Sequence, residues 1–422
     1  MTTSQKKLLL ALSLLLALQT CINLFKYFGE IGGEGSFGGD FISFWQAAKN
    51  VRAGNIGAIY DAEGWRVVLS TSGPKVLAWF VYPPFALFGL WPLGKLTYNE
   101  AVLVWSLVPL PVYFGLVYLL ARRSAMANAT SAAATARGTM PAIAAVLACC
   151  ALPFLSANLF TGQTGAVVAV LYLGAAYFWP DRPILAGIAI GLLAIKPQMG
   201  LLIPVALVAS AQWRTVAAAG TTIAGLAIAA TVWLGPAIWF EYLAMMRVFA
   251  ELFGQGYGGI RMLAIAPYVS MLSVGAPTLV AGIVHGICLI TVSATVFIVF
   301  RRSGKARMAG PSADGNDDLR LALLATATLL ATPYSLSYDM PLLMLSIIPF
   351  VVRAWSSGCE LPELAAFTAL LIVPFAQPLA VAWHVPFGFG ALALWFFVLH
   401  RRYLHASGAP AAHQAGQMPA LA

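Results

Sequence analysis

In a chain of 422 residues that is 60% hydrophobic and only 9% charged, the few ionisable groups outside the basic clusters mark where chemistry can occur. Asp40 is the first. It follows Gly38-Gly39 and opens the run FISFWQAAKNVR. Its carboxylate can cap a helix by accepting the free N–H groups of the first turn, or it can serve as a base for a hydroxyl at the water–lipid boundary. Lys196 stands before Pro197 between two apolar runs. A lysine at membrane depth either snorkels to the interface or is held for an anionic group such as a phosphate. Arg261, after GQGYGGI, is a second candidate cation as well as an ordinary interfacial arginine. Asp339 follows Ser337-Tyr338 at the start of an apolar run and reads first as a helix cap. No G-x-x-x-x-G-K-[ST], H-E-x-x-H or G-x-S-x-G occurs, against a nucleotide-driven pump, a zinc protease and a serine hydrolase of those types. The five histidines show no ligand spacing and the five cysteines form no C-x-x-C pair. No metal, cofactor or disulfide framework is indicated.

Polytopic apolar runs must position these groups. A mean hydropathy of +0.84 in a chain this long implies more apolar surface than a soluble domain can cover, so the runs face lipid. The basic excess of +9 lies in short clusters between those runs. It therefore reads as a topology signal, with no nucleic-acid partner. The N-terminal run after Lys6 and Lys7 continues through Cys21 to Phe25 without a small-x-small cleavage pattern, as a retained helix would. After it, Phe41, Phe44, Trp45 and Ala48 share one face of a short amphipathic helix. That pattern predicts a helix on the membrane surface, aromatic side down.

Parity sets the topology. If 76–93 crosses, every later basic cluster falls outside; if it dips and returns, as Tyr82-Pro83-Pro84 and Trp91-Pro92 favour, all fall inside. The second option puts 15 basic and six acidic residues in the cytoplasm and nine of each outside. It predicts an all-α polytopic protein of about twelve spanning helices, with both termini cytoplasmic and a plasma-membrane (inner-membrane) location. The expected organisation is a single domain: a first helix over 1–29, an outer loop 30–98 with interfacial helices and Asp40, core helices 99–234, a second outer loop 235–277, C-terminal helices 278–402 and a cytoplasmic tail 403–422. The unusual residues then converge on the extracytoplasmic side.

Several stretches together resemble glycosyltransferase family 87, membrane mannosyltransferases of GT-C fold that use polyprenyl phosphate sugars. They are GGDF at 38–41, the pattern ending in Tyr60-Asp61, FVYPPFAL at 80–87, NLFTGQTG at 158–165, AGIAIGLLAIKPQMGLLIP at 186–204 and TPYSLSYDMPL at 332–342. The resemblance implies a GT-C-like architecture with interfacial helices in the first outer loop. It implies Asp40 as the general base, with Gln163 and Lys196 near the carrier phosphate and sugar and Tyr82 and Arg261 beside them. Asp61, Tyr338 and Asp339 are candidates for an acceptor or secondary site. Many members carry a histidine where this chain has Ser337-Tyr338-Asp339.

The implied reaction moves a hexose, mannose in most members, from a polyprenyl phosphate to a hydroxyl of a glycan, glycolipid or other extracytoplasmic acceptor. A carboxylate takes the proton and fixed cations steady the departing phosphate. The rival from another class is a transporter or flippase of lipid-linked sugars or small solutes, built on the Lys196-Pro197 and Tyr82-Pro83-Pro84 breaks. It would favour inverted repeats, and the first outer loop has no counterpart in the second half.

Overall fold

Most of the apolar runs become one helix or a chain of short ones, according to where proline and glycine fall. The computed structural model describes residues 3–30, 39–61, 79–127, 134–179, 181–254, 261–309 and 316–408. Helix α1 spans Thr3–Glu30, and the amphipathic α2 spans Phe41–Arg52. The described part of the run expected to dip is broken into three short turns, Pro84–Ala86, Leu87–Leu90 and Trp91–Lys95, none long enough to cross a bilayer. Helix α3 (Tyr98–Leu107) opens with a capping box in which Thr97 and Glu100 exchange backbone bonds, and it runs into α4 (Pro109–Ala127). Next come α5 (Ala134–Thr161), α6 (Gly165–Phe178), α7 (Pro183–Leu192), α8 (Ile203–Ala209) and α9 (Trp213–Leu234). The second outer segment holds α10 (Ile238–Gly254) and α11 (Pro267–Ser273). Helices α12 (Thr278–Ala309), α13 (Asp317–Ala331), α14 (Met344–Ser357), α15 (Leu361–Ala382) and α16 (Phe387–Gly408) complete the chain. Among the described residues there is no strand.

Among the described residues, five helical segments are long and apolar enough to cross a membrane: Tyr98–Ala127, Thr139–Thr161, Trp213–Leu234, Thr278–Gly304 and Ser337–Ser357. The protein is an integral membrane protein. Shorter apolar helices, such as Gly165–Phe178 and Pro183–Ile195, accompany them.

The helices differ in what they face. Along α9 and α12 the large apolar side chains point outward, with Ile228, Val232, Ile283, Ile287 and Ile290 exposed. Such surface suits lipid. Helix α13 is the opposite case, buried from Leu319 to Ala331 against α12, α14 and α16. A helix apolar on every face belongs at the centre of a bundle. Its two threonines keep their hydroxyls satisfied locally, Thr326 and Thr328 donating to the carbonyls of Ala322 and Leu324.

The polar residues gather at two ends. At the start of α13, Asp317 pairs with Arg320 and Asp318 with Arg353, while Arg402 of α16 grips Glu363 of α15. All of these belong to the clusters that parity assigns to one side. At the other end of α13 lies the segment leading to Asp339.

Candidate active site

Asp40 stands at the N-terminus of α2, but its carboxylate does not cap it. The side chain turns instead to the loop after α5, where Gln163 Nε2 donates to Asp40 Oδ2 at 2.8 Å. The Asp40 backbone N–H donates to Thr161 O at 3.0 Å, so main chain and side chain meet the same loop. Gln163 Oε1 accepts from the Tyr82 hydroxyl at 2.8 Å, and that hydroxyl lies 3.1 Å from Thr164 Oγ1. A carboxylate only accepts, so the amide must turn its NH2 to Asp40 and its oxygen to Tyr82.

The NLFTGQTG sequence builds this loop. Gly162 ends α5 with φ +66, a left-handed conformation that glycine adopts without Cβ strain. A Cβ on Gly165 would sit 1.7 Å from the Tyr338 carbonyl oxygen, so only glycine allows the second half of the site to approach. Asn158 Nδ2 donates to Gln163 O at 2.7 Å, and Trp105 Nε1 donates to Gly162 O at 2.9 Å.

The aromatic face of α2 corrects the expectation of a surface helix, aromatic side down. Phe41 and Phe44 are fully buried in protein. Phe44 packs edge-on against Tyr82 at 5.0 Å and against Phe80 at 6.3 Å, while both rings meet Trp105. The 79–95 segment and α3 supply these partners, and each buried phenylalanine contributes about 1.5–3 kcal/mol. Asp40 thus stands at the start of a helix mounted on an aromatic cluster.

The second half forms around a break. The residue before a proline is pushed out of the helical region, and Lys196 has φ −136 and ψ 74 between the turns Leu193–Ile195 and Pro197–Gly200. Carbonyls freed by the break find partners: Tyr172 donates to Met199 O at 2.7 Å and Thr332 to Gln198 O at 3.1 Å. Lys196 is only 5% exposed, and its ammonium pairs with Asp339 Oδ1. The ammonium also lies 4.9 Å from the centre of the Tyr338 ring. Asp339 Oδ2 accepts the Leu336 N–H at 3.2 Å, which fixes the carboxylate to its own turn. Lys196 is therefore not an unpaired outer cation, and Asp339 does more than cap.

The two halves sense each other. Burial pushes the Asp40 carboxyl above the usual carboxylate range, while the Gln163 hydrogen bond and the positive charge of Lys196 pull it back in part. Asp40, Tyr82, Gln163, Lys196, Tyr338 and Asp339 thus come together. Asp61 is exposed, one residue beyond the buried Tyr60 whose hydroxyl donates to Tyr82 O at 2.6 Å. Arg261 opens a turn, Arg261–Leu263, that leads to the Ala264–Leu336 bridge beside the site, but its side chain lies outside the described residues. Tyr60 and Thr164, which fall in stretches that carry the resemblance, and Trp105, which has no sequence signal of its own, support the site.

The profile of glycosyltransferase family 87 matches residues 80–333, which takes in Tyr82, Gln163, Lys196 and Arg261 and leaves Asp40 and Asp339 outside. No curated protein and no solved structure matches the chain. The matched stretch covers more than half of the sequence: this is a membrane glycosyltransferase, and it belongs to glycosyltransferase family 87.

Proposed function

We propose that the protein transfers a hexose, mannose, from a polyprenyl phosphate to a hydroxyl of an extracytoplasmic glycan or glycolipid, with inversion at the anomeric carbon and Asp40 as base. One observation carries this reading: a partly buried aspartate at a helix start, released from capping, is held by a neutral amide and faces a single buried ammonium. Among the described residues Gln163 is its side-chain hydrogen-bond partner and engages Oδ2. Oδ1 is left for an incoming hydroxyl.

In the reaction the acceptor oxygen forms a bond to the anomeric carbon as the bond from that carbon to the phosphate oxygen breaks. The acceptor proton passes to Asp40, and the electron pair of the broken bond leaves with the polyprenyl phosphate. Lys196 would steady the departing charge from a place where low dielectric strengthens it. Asp339 already takes up one of its N–H donors, so Arg261 is proposed as the further cation the donor phosphate needs. A lipid-phosphate sugar is already activated, so the reading calls for no nucleotide, metal or other cofactor. About twelve spans, cytoplasmic termini and an outward-facing site in the plasma membrane are supported by the positive-inside distribution of the basic clusters, and the GT-C-like arrangement by the family resemblance alone.

Asp40→Asn tests the assignment. The carboxylate does not cap α2, so thermal stability should stay at the wild-type value while turnover with a polyprenyl phosphate hexose falls about a hundredfold or more. Near wild-type transfer by folded Asp40→Asn protein would remove Asp40 from the chemistry.

A further inference from the structure

The far end of α2 carries a second cluster. Lys49 and Arg52 are exposed one helical turn apart, and exposed Lys95 ends the Trp91–Lys95 turn that lies across them. Gly94 permits that crossing, since a Cβ there would meet Arg52 Cδ at 2.7 Å and Ala48 O at 2.8 Å. The Arg52 guanidinium lies 5.3 Å and the Lys95 ammonium 5.8 Å from the centre of the same indole, Trp91. Lys49 Nζ sits 4.5 Å from the Trp45 ring. Among the described residues none of the three has a carboxylate within ion-pair distance. The negative end of the α2 dipole accounts for a cation or two in its last turn. It does not account for Lys95, brought to the same indole from another segment. Three like charges on neighbouring elements repel one another, and a bound anion would relieve that repulsion.

Membrane depth at this cluster can be read from its neighbours. Phe88, one turn before Trp91, stacks on Trp233 at 5.0 Å, and Trp233 lies at the end of the spanning helix α9 beside Val232, which is 82% exposed. Phe88, Trp91 and Trp233 are all exposed. An exposed aromatic rim at the end of a spanning helix marks the headgroup layer, and the three cations adjoin it.

We propose that Lys49 beside Trp45, with Arg52 and Lys95 beside Trp91, binds the phosphate headgroup of an anionic phospholipid at the rim of the bilayer. The site is distinct from the catalytic centre. Asp40 begins the helix that Arg52 ends, about 18 Å away along its axis. A lipid bound there would set the depth of α2, and with it the depth of Asp40.

The test uses the full-length protein in nanodiscs of mixed phosphatidylglycerol and phosphatidylcholine, with lipids retained after release counted by native mass spectrometry. A basic group beside an anionic leaflet is worth roughly a fivefold preference, so Lys49→Gln/Arg52→Gln/Lys95→Gln should lower the excess of phosphatidylglycerol by at least about tenfold. Lys49→Arg/Lys95→Arg should keep it. In the wild-type protein the excess should shrink as salt is raised. A triple variant with the wild-type preference, or a wild-type protein with none, would overturn the proposal. Loss of the lipid to inorganic phosphate, where sodium chloride of the same ionic strength leaves it bound, would also overturn it, by marking a general anion site. The outcome does not depend on which sugar, if any, the protein transfers.

Discussion

Helix α13 joins two polar clusters of different character. At its start every carboxylate of the cluster meets a guanidinium: Asp317 and Arg320 at 2.8 Å, Asp318 and Arg353 at 2.7 Å, with Arg402 closing on Glu363 through Nε at 2.7 Å and Nη2 at 2.6 Å. At its other end, roughly 20 Å away, one ammonium serves two carboxylates, and Asp40 is left to a neutral amide. Arginine forks onto carboxylate oxygens fix helix ends and exchange nothing. A carboxylate with a raised pKa and one neutral donor is poised to take a proton. The first arrangement holds the bundle together, and the second is suited to chemistry.

The largest expected effect is all or none and concerns which end faces out. In a background lacking the native cysteines, a cysteine at exposed Asn55, just beyond α2, should label in intact cells with an impermeant thiol reagent. One at exposed Ser357, at the arginine end, should label only after lysis. The reverse pattern would invert the topology.

Lys196→Ala comes next. It leaves Asp339 buried without its cation, a loss of about 3–5 kcal/mol in unfolding free energy. Adding Asp339→Asn should recover much of that stability in thermal unfolding but not the use of lipid-linked donor. Recovery of both would reduce the pair to a structural one.

At the arginine end, Glu363→Gln weakens a charge-assisted fork and should cost about 1.5–3 kcal/mol of stability while leaving kcat/KM unchanged. A fall in kcat/KM in the folded variant would dissolve the contrast between the two clusters.

The smallest effect is in pH dependence. Burial raises the Asp40 carboxyl, so the base is lost as pH falls through a value above that of an exposed aspartate, and the acid limb of kcat/KM lies correspondingly high. The same shift makes folding slightly less favourable as pH rises through it, since the ionised form is the disfavoured one. Gln163→Leu removes a hydrogen bond that favours ionisation and should move the limb higher still. Movement to lower pH would show that Gln163 favours the protonated acid.

Much of this was legible in the sequence for local reasons. Phe41, Phe44 and Ala48 at helical spacing predict α2, and a lysine before Pro197 predicts the break. The basic clusters assigned to one side by parity contain Arg320, Arg353 and Arg402, which do meet at one end of the bundle. Destinations were less legible. Whether an aromatic face meets lipid or protein depends on Phe80, Tyr82 and Trp105, which no periodicity links to α2. The partner of Lys196 lies 143 residues away, and nothing near either residue names the other. Gln163 and Tyr82 were reached through resemblance, because an amide and a phenol carry no chemical signature until their geometry is known.

The same separation bears on how the chain is made. Synthesis delivers Lys196 to the bilayer 143 residues ahead of Asp339. For that interval the ammonium has no counter-ion of its own, and a lone lysine at mid-membrane costs about 2.5–3.5 kcal/mol on the insertion scale. The segments on either side, α7 of ten residues and α8 of seven, are too short to offset that cost securely. This hairpin therefore enters the membrane on credit from the C-terminal helices. Nascent chains halted before Asp339 emerges would be the ones whose middle slips back out.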